Sequence, residues 1–187
     1  MEIILASNSP RRRELLTMMG LRYTAAATDC DESHPAGLEP AGIVMELAAR
    51  KAHAARGGAD TLVIAADTLV LLDGVLLGKP KDDAEALFML GRLNGRVHEV
   101  FTGVCVRLGT REERFFERTA VRFAANPEQT LRDYVATGEP RDKAGAYGIQ
   151  GPGAVLVAAI EGDFYNVMGL PVCALAACLR RFGVCVL

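Results

Sequence analysis

The chain has 187 residues, half of them apolar, with 21 basic and 23 acidic side chains and a formal net charge of −2. That length suits one domain with a substantial core, and the balanced charge excludes the broad electrostatic footprint of a general nucleic-acid binder. Only four of the basic residues are lysines, Lys51, Lys79, Lys81 and Lys143, in a chain that otherwise uses Arg.

Ile3-Ile4-Leu5-Ala6 reads as a short buried strand. The Met1–Leu5 start has neither the basic region nor the long apolar run of a signal peptide. Ser9-Pro10 predicts a helix start, with Ser9 as N-cap and Pro10 at the first helical position, running to about Met19 and closed by Gly20. A second strand follows at Leu21–Ala27, then an acidic loop, Thr28–Pro35, carrying Asp29, Asp31, Glu32 and His34. Ala41–Arg56 is helical, with Ile43, Leu47 and several alanines forming the inward stripe. Leu62–Leu72 is the strongest strand signal, turned by Asp73-Gly74 in a type I′ hairpin into Val75-Leu76-Leu77.

Asp82 or Asp83 caps a helix to about Leu93, and Val97–Leu108 with Arg114–Ala124 predicts a second antiparallel pair. Pro127–Ala136 is helical, Gly145–Gly153 is a glycine-rich turn segment, Ala154–Ile160 is a buried strand, and Val167–Phe182 is a closing helix after a Gly169-Leu170-Pro171 entry. The longest apolar stretch, Val167–Leu179, is interrupted by Gly169 and Pro171 and is too short to span a bilayer. Five cysteines (30, 105, 173, 178 and 185) show no CxxC spacing and read as small buried hydrophobes in a reducing compartment, so the expectation is a soluble cytoplasmic protein. The pattern predicts one mixed α/β domain with hairpins in its sheet.

Several polar residues stand where this pattern does not require them. Arg11, Arg12 and Arg13 sit in the first turn of a helix, the wrong end for cations. A docked anion such as a phosphate chain reconciles their charge with the free N–H groups there, with Ser7, Asn8 and Ser9 on the same edge; a solvated turn paired with Glu14 is the other reading. Asp67 interrupts an apolar strand and must be paired, metal-bound or at a strand end, while alternation sends Thr68 to the opposite face unless the strand bends. Glu32, with Asp29 and Asp31, is either a solvated loop or one side of an Mg²⁺ site completed by phosphate. Lys51 continues the Ile43–Leu47 stripe and either snorkels or points into a polar site. Lys79 is held between Gly78 and Pro80. Gln150, inside the glycine segment, could offer one donor and one acceptor to a flat base. No GxGxxG opening a helix, GxxxxGK[ST], HExxH or GxSxG is present, and His34, His53 and His98 read as structural or solvated.

Taken together, the motifs resemble the Maf family of house-cleaning nucleotide pyrophosphatases. They are, in order, Leu5-Ala6-Ser7-Asn8-Ser9-Pro10-Arg11-Arg12-Arg13-Glu14-Leu15-Leu16, Ala66-Asp67-Thr68, Leu77-Gly78-Lys79-Pro80, His98-Glu99-Val100-Phe101-Thr102-Gly103-Val104, Asp142–Gly151 and Tyr165-Asn166-Val167-Met168-Gly169-Leu170-Pro171. The resemblance implies an α/β fold, a single domain of residues 1–187 in which a mixed twisted sheet flanked by helices forms two lobes around a central cleft, as in inosine-triphosphatase-like proteins, and a homodimer. It implies hydrolysis of nucleoside triphosphates between the α- and β-phosphates with a divalent metal, Mg²⁺ or Mn²⁺. By position, Asp67 looks like the proton acceptor and, with Glu32, a metal ligand. Arg11, Thr68 and Gln150 look like the specificity residues, and Ser7, Arg12, Arg13, Lys51 and Lys79 like the phosphate-handling ones. Gln150 after Ala146-Tyr147-Gly148-Ile149 resembles the branch acting on dTTP and UTP. Competing readings are a pyrophosphatase for 7-methyl-GTP or another non-canonical nucleotide, and a nucleotide-sensing cell-division protein without turnover. Asn94 and Ala158-Ala159 depart from the family pattern.

Overall fold

The structure, a computed structural model, describes residues 1–33 and 37–186; His34 and Pro35 of the acidic loop lie outside the described residues. Among the described residues, seven strands form one mixed sheet with hydrogen-bonded order β2-β1-β3-β5-β6-β7 and β4 paired to β3. The chain divides into two compact units. One comprises Met1–Thr68, Thr102–Glu117 and the segment from Gly169 onward, and the other Leu69–Phe101 and Arg118–Met168.

In the first unit, β1 (Glu2–Ala6) runs parallel to both β2 (Thr24–Ala26) and β3 (Thr61–Leu72). The apolar run Leu62–Ala66 is buried throughout, as expected of a central strand covered on both faces. Ser9 caps α1 (Pro10–Met18) through its hydroxyl, and Gly20 turns out of it at φ 72°. Helix α2 (Pro40–Ala54) lays Ala48, Ala49 and Ala52 against Ile4, Ala6, Val63, Ala65 and Cys105. These small side chains allow close approach, and Gly103 on β5 (Val97–Leu108) takes this to its limit. A Cβ there would lie 2.3 Å from the Val44 carbonyl carbon of α2.

In the second unit, Asp73 (φ 50°) and Gly74 (φ 76°) make the left-handed pair of a type I′ turn between β3 and β4 (Val75–Leu77). Asp82 caps α3 (Asp83–Leu93), its Oδ1 accepting the Glu85 N–H at 2.8 Å. Gly109 and Thr110, which belong to the first unit, separate β5 from β6 (Arg111–Phe123), its hydrogen-bonded neighbour, so the expected hairpin forms. Helix α4 (Glu128–Ala136) packs on α3, and Asn94 ties the two connections by accepting the Asn126 N–H at 2.8 Å and donating to the Asn126 carbonyl at 2.9 Å.

Two expected elements are corrected. The buried strand expected over Ala154–Ile160 begins only at Val157 and is partly exposed along its length: Gly151–Leu156 is a 3-10 turn, and β7 is Val157–Glu161, paired antiparallel to β6. Pro152 and the left-handed Gly151 (φ 62°) favour that turn over an extended start. The closing helix, α6 (Val172–Arg181), starts directly after the expected Gly169-Leu170-Pro171 entry, and Val167 belongs instead to a separate short helix, α5 (Phe164–Met168), because Gly169 at φ 109° and Pro171 interrupt the hydrogen-bond ladder. All five cysteines are free; Cys105 and Cys178 are buried, whereas Cys173 and Cys185 are exposed, contrary to the expectation of burial. No helix among the described residues is long and apolar enough to cross a membrane.

His98 lies in the core of the second unit, 1 % exposed, edge-on to Phe123 and Tyr147. Its Nε2 is 2.7 Å from Tyr147 Oη, and its Nδ1 is buried without a hydrogen-bond partner among the described residues. Burial pushes its pKa down to about 4.

Two predictions test this packing. Gly103→Ala forces a methyl into the α2 backbone and should cost about 1–3 kcal/mol of stability, read by chemical denaturation. The unfolded chain protonates His98 near the ordinary 6.5, whereas the native chain does not until about 4. His98 therefore contributes stability that is full above pH 6.5 and is lost as pH falls toward 4, a total of about 3 kcal/mol. Denaturation curves across that window should be flatter for His98→Gln than for the native chain.

Candidate active site

The basic first turn of α1 resolves into one inserted arginine and two flanking ones. Arg12 is partly buried: its Nε donates to the Gly169 carbonyl at 2.8 Å, Nη2 to Thr68 Oγ1 at 3.0 Å and Nη1 to Ser7 Oγ at 3.3 Å. Ser7 also accepts the Ser9 N–H at 3.1 Å. These oxygens offset the positive helix end that disfavours a cation. Burial lowers the Arg12 pKa, and the negative charge of Asp67 opposes it. Arg11 is partly buried beside it, and Arg13 is exposed.

Consecutive residues of β3, Asp67 and Thr68, carry the next contacts. Thr68 meets Arg12, and its Oγ1 lies 2.9 Å from Oγ1 of the fully buried Thr102. Asp67, 9 % exposed, accepts a hydrogen bond from Lys51 Nζ at 2.6 Å, and the same ammonium reaches Glu32 Oε1 at 2.8 Å. Lys51 therefore points into a polar site rather than snorkelling to solvent. Burial pulls its pKa down, but the charge of Asp67 and hydrogen bonds to Asp67 and Glu32 outweigh that and raise it.

The donor set also bears on a metal. Among the described residues no group of three or more His, Cys, Asp or Glu is placed to hold an ion. Asp67 and Glu32 do converge on one point, now occupied by the Lys51 ammonium. Two carboxylates fit a hard cation of the Mg²⁺ kind, which commonly takes one or two from the protein and completes its shell with substrate phosphate and water.

The remaining expected residues belong to the second unit. Lys79 is exposed between Gly78 and the buried Pro80, and Gln150 is partly buried in the glycine segment. Lys143 is buried, its Nζ bound to the Glu139 carbonyl at 2.6 Å and Asp142 Oδ1 at 2.7 Å, so its charge is spent just before the segment. Lys81 is exposed, and His53 pairs with Glu112 at 2.5 Å on the surface of the first unit.

Two contributors escaped the sequence reading. Thr102 was legible only as a hydroxyl inside an otherwise apolar strand. Gly169 contributes a carbonyl, which no side chain announces; a Cβ there would stand 3.3 Å from Thr68 Oγ1 and 3.5 Å from Arg12 Nε.

A family model described as Maf-like protein matches residues 2–182. The chain is 50% identical over 185 residues to a dTTP/UTP pyrophosphatase of Symbiobacterium thermophilum, covering 97% of this chain and 94% of that one. It is 51% identical over 186 residues to a dTTP/UTP pyrophosphatase of Moorella thermoacetica, covering 98% and 96%. Among solved structures, a HAM1 protein from Coxiella burnetii shares the fold with a TM-score of 0.53 at 19% identity, over 97% of this chain and 99% of that one. The Staphylococcus aureus Ham1 protein does so with a TM-score of 0.50 at 17% identity, over 67% and 73%. The ordered motifs, the near-complete match to the family model and two full-length relatives at about half identity agree: the chain belongs to the Maf family.

Proposed function

We propose that this chain hydrolyses dTTP and UTP, and modified pyrimidine triphosphates, to the nucleoside monophosphate and pyrophosphate with the help of a divalent cation, Mg²⁺ or Mn²⁺. The observation that carries the reading is the withdrawn Asp67 carboxylate, 2.6 Å from the Lys51 ammonium and adjacent in sequence to the Thr68–Arg12 pair. Such a group can take a proton in a site where cations await a polyanion. Two relatives at about half identity are dTTP/UTP pyrophosphatases by name, which supports the substrate class. The family resemblance further implies a cytoplasmic homodimer.

In the proposed reaction Asp67 takes the proton from water as its oxygen attacks the α-phosphorus. The bond to the oxygen bridging the α- and β-phosphates breaks, and pyrophosphate leaves with that oxygen. Ser7, Arg12, Arg13, Lys51 and Lys79 hold the phosphate chain and offset the charge developing on the leaving group. Arg11, Thr68 and Gln150 select the nucleotide. A glutamine amide, one donor and one acceptor, matches a pyrimidine edge that presents an imide N–H between two carbonyls. Glu32 and Asp67 would hold the cation, which supplies positive charge to phosphate oxygens when bound.

Asp67→Asn should lower pyrophosphate release at least about 100-fold, the usual range for a lost general base, while nucleotide binding stays measurable by calorimetry. Near-normal release by that variant overturns the assignment. A panel of dTTP, UTP, 7-methyl-GTP and purine triphosphates should show preference for the first two. Removing divalent ions with a chelator should abolish turnover, which returns on adding Mg²⁺ or Mn²⁺, with no change in circular dichroism.

A further inference from the structure

Gln150 lies in a segment pinned on both sides by side chains from elsewhere in its unit. The Gly145 N–H donates to the Gly78 carbonyl at 3.0 Å, and Gly145 takes φ +69° where a Cβ would press to 3.1 Å from Val70. Tyr147 Oη pairs with His98 Nε2 at 2.7 Å, and the two rings and Phe123 stack edge to face with centroids 4.8–5.2 Å apart. The Gly148 N–H donates to Tyr134 Oη at 3.0 Å, and the Gly153 N–H to Glu139 Oε2, also at 3.0 Å. The segment also closes on itself, because a Cβ on Gly153 would lie 2.2 Å from the Gly148 carbonyl oxygen. Tyr134, His98 and Tyr147 are all buried. Between the pins at Gly148 and Gly153, the partly buried Gln150 side chain makes no hydrogen bond to any described residue.

The backbone of this segment is thus held by neighbours while the amide is left for a ligand. An amide selects a base edge only if its donor and acceptor meet their partners in fixed order, and a swinging loop would lose that ordering. We propose that Tyr134 and His98 are positioning residues for base selection, fixing the Gly145–Gly153 segment so that the Gln150 side chain reaches the base from one fixed place on the backbone. The inference rests on the reading of Gln150 as the residue that meets the base. Neither side chain needs to touch the nucleotide: Tyr134 acts through the Gly148 N–H, and His98 through Tyr147.

The test is steady-state kinetics of the full-length protein with dTTP and dGTP. Tyr134→Phe removes only the hydroxyl that holds Gly148. Its kcat/KM for dTTP should fall about three- to tenfold, the worth of one hydrogen bond, mainly through KM, while dGTP turnover holds, so discrimination falls by the same factor. His98→Leu should lower discrimination likewise, and His98→Gln, which can still pair with Tyr147, should restore it. An equal fall for both nucleotides, or no fall with either Tyr134→Phe or His98→Leu, overturns the proposal. Gln150→Ala separates the two readings. If it lowers discrimination while Tyr134→Phe does not, the positioning role fails alone; if it leaves discrimination intact, the reading of Gln150 fails and takes the positioning role with it.

Discussion

A cation withdrawn from water must find oxygen, and in the first unit that requirement organises the site. Arg12 sits at the positive end of α1, where neither the helix dipole nor the peptide N–H groups can stabilise it. Its hydrogen bonds therefore recruit one carbonyl and two hydroxyls from distant parts of the chain: Gly169 ahead of α6, Thr68 on β3 and Ser7 after β1. Each constrains a different element. The Gly169 carbonyl is available because the backbone there adopts φ 109°, Thr68 is braced by the buried Thr102, and Ser7 also caps the Ser9 N–H.

Lys51 obeys the same rule with the opposite partners. It follows Ile43 and Leu47 at four-residue intervals on α2, and its ammonium ends between Asp67 and Glu32. The two pairs are not equivalent. Asp67 is largely withdrawn from solvent, whereas Glu32 has most of its side chain exposed, so the Asp67 contact is the less screened of the two. Removing one partner of a buried pair costs about 3–5 kcal/mol in other proteins, because the survivor is left uncompensated. A net charge of −2 thus leaves room for locally concentrated cations, because each is matched by oxygens close by rather than by the average over the surface.

The second unit solves a different problem. Its glycine segment contains little regular structure, only short 3-10 turns, and a backbone without a ladder must bond elsewhere. Tyr134 and Glu139 supply those bonds from buried or partly buried positions, His98 adds a side-chain bond to Tyr147, and Lys143 donates to the Glu139 carbonyl and the Asp142 carboxylate just before the segment. The lone lysines of the sequence therefore divide: Lys51 meets the carboxylates, Lys143 is structural, and Lys79 and Lys81 face solvent.

Local chemistry was enough to determine much of this from sequence. Ser9-Pro10 and Asp82 mark helix starts because caps depend on a few adjacent atoms, Asp73-Gly74 marks a hairpin because both residues tolerate positive φ, and the apolar run Leu62–Ala66 marks a central strand because only a doubly covered strand can bury it. The oddities at Arg12, Lys51 and Asp67 were equally legible, since a charge in an apolar pattern demands a partner. Which partner it finds is a long-range matter. Arg12 and Gly169 are separated by 157 positions and Lys51 and Asp67 by 16, and nothing in the intervening chain encodes their approach. The contribution of a glycine carbonyl and the pairing of His98 with Tyr147 were decided only when packing brought distant backbone and side-chain atoms within hydrogen-bond reach.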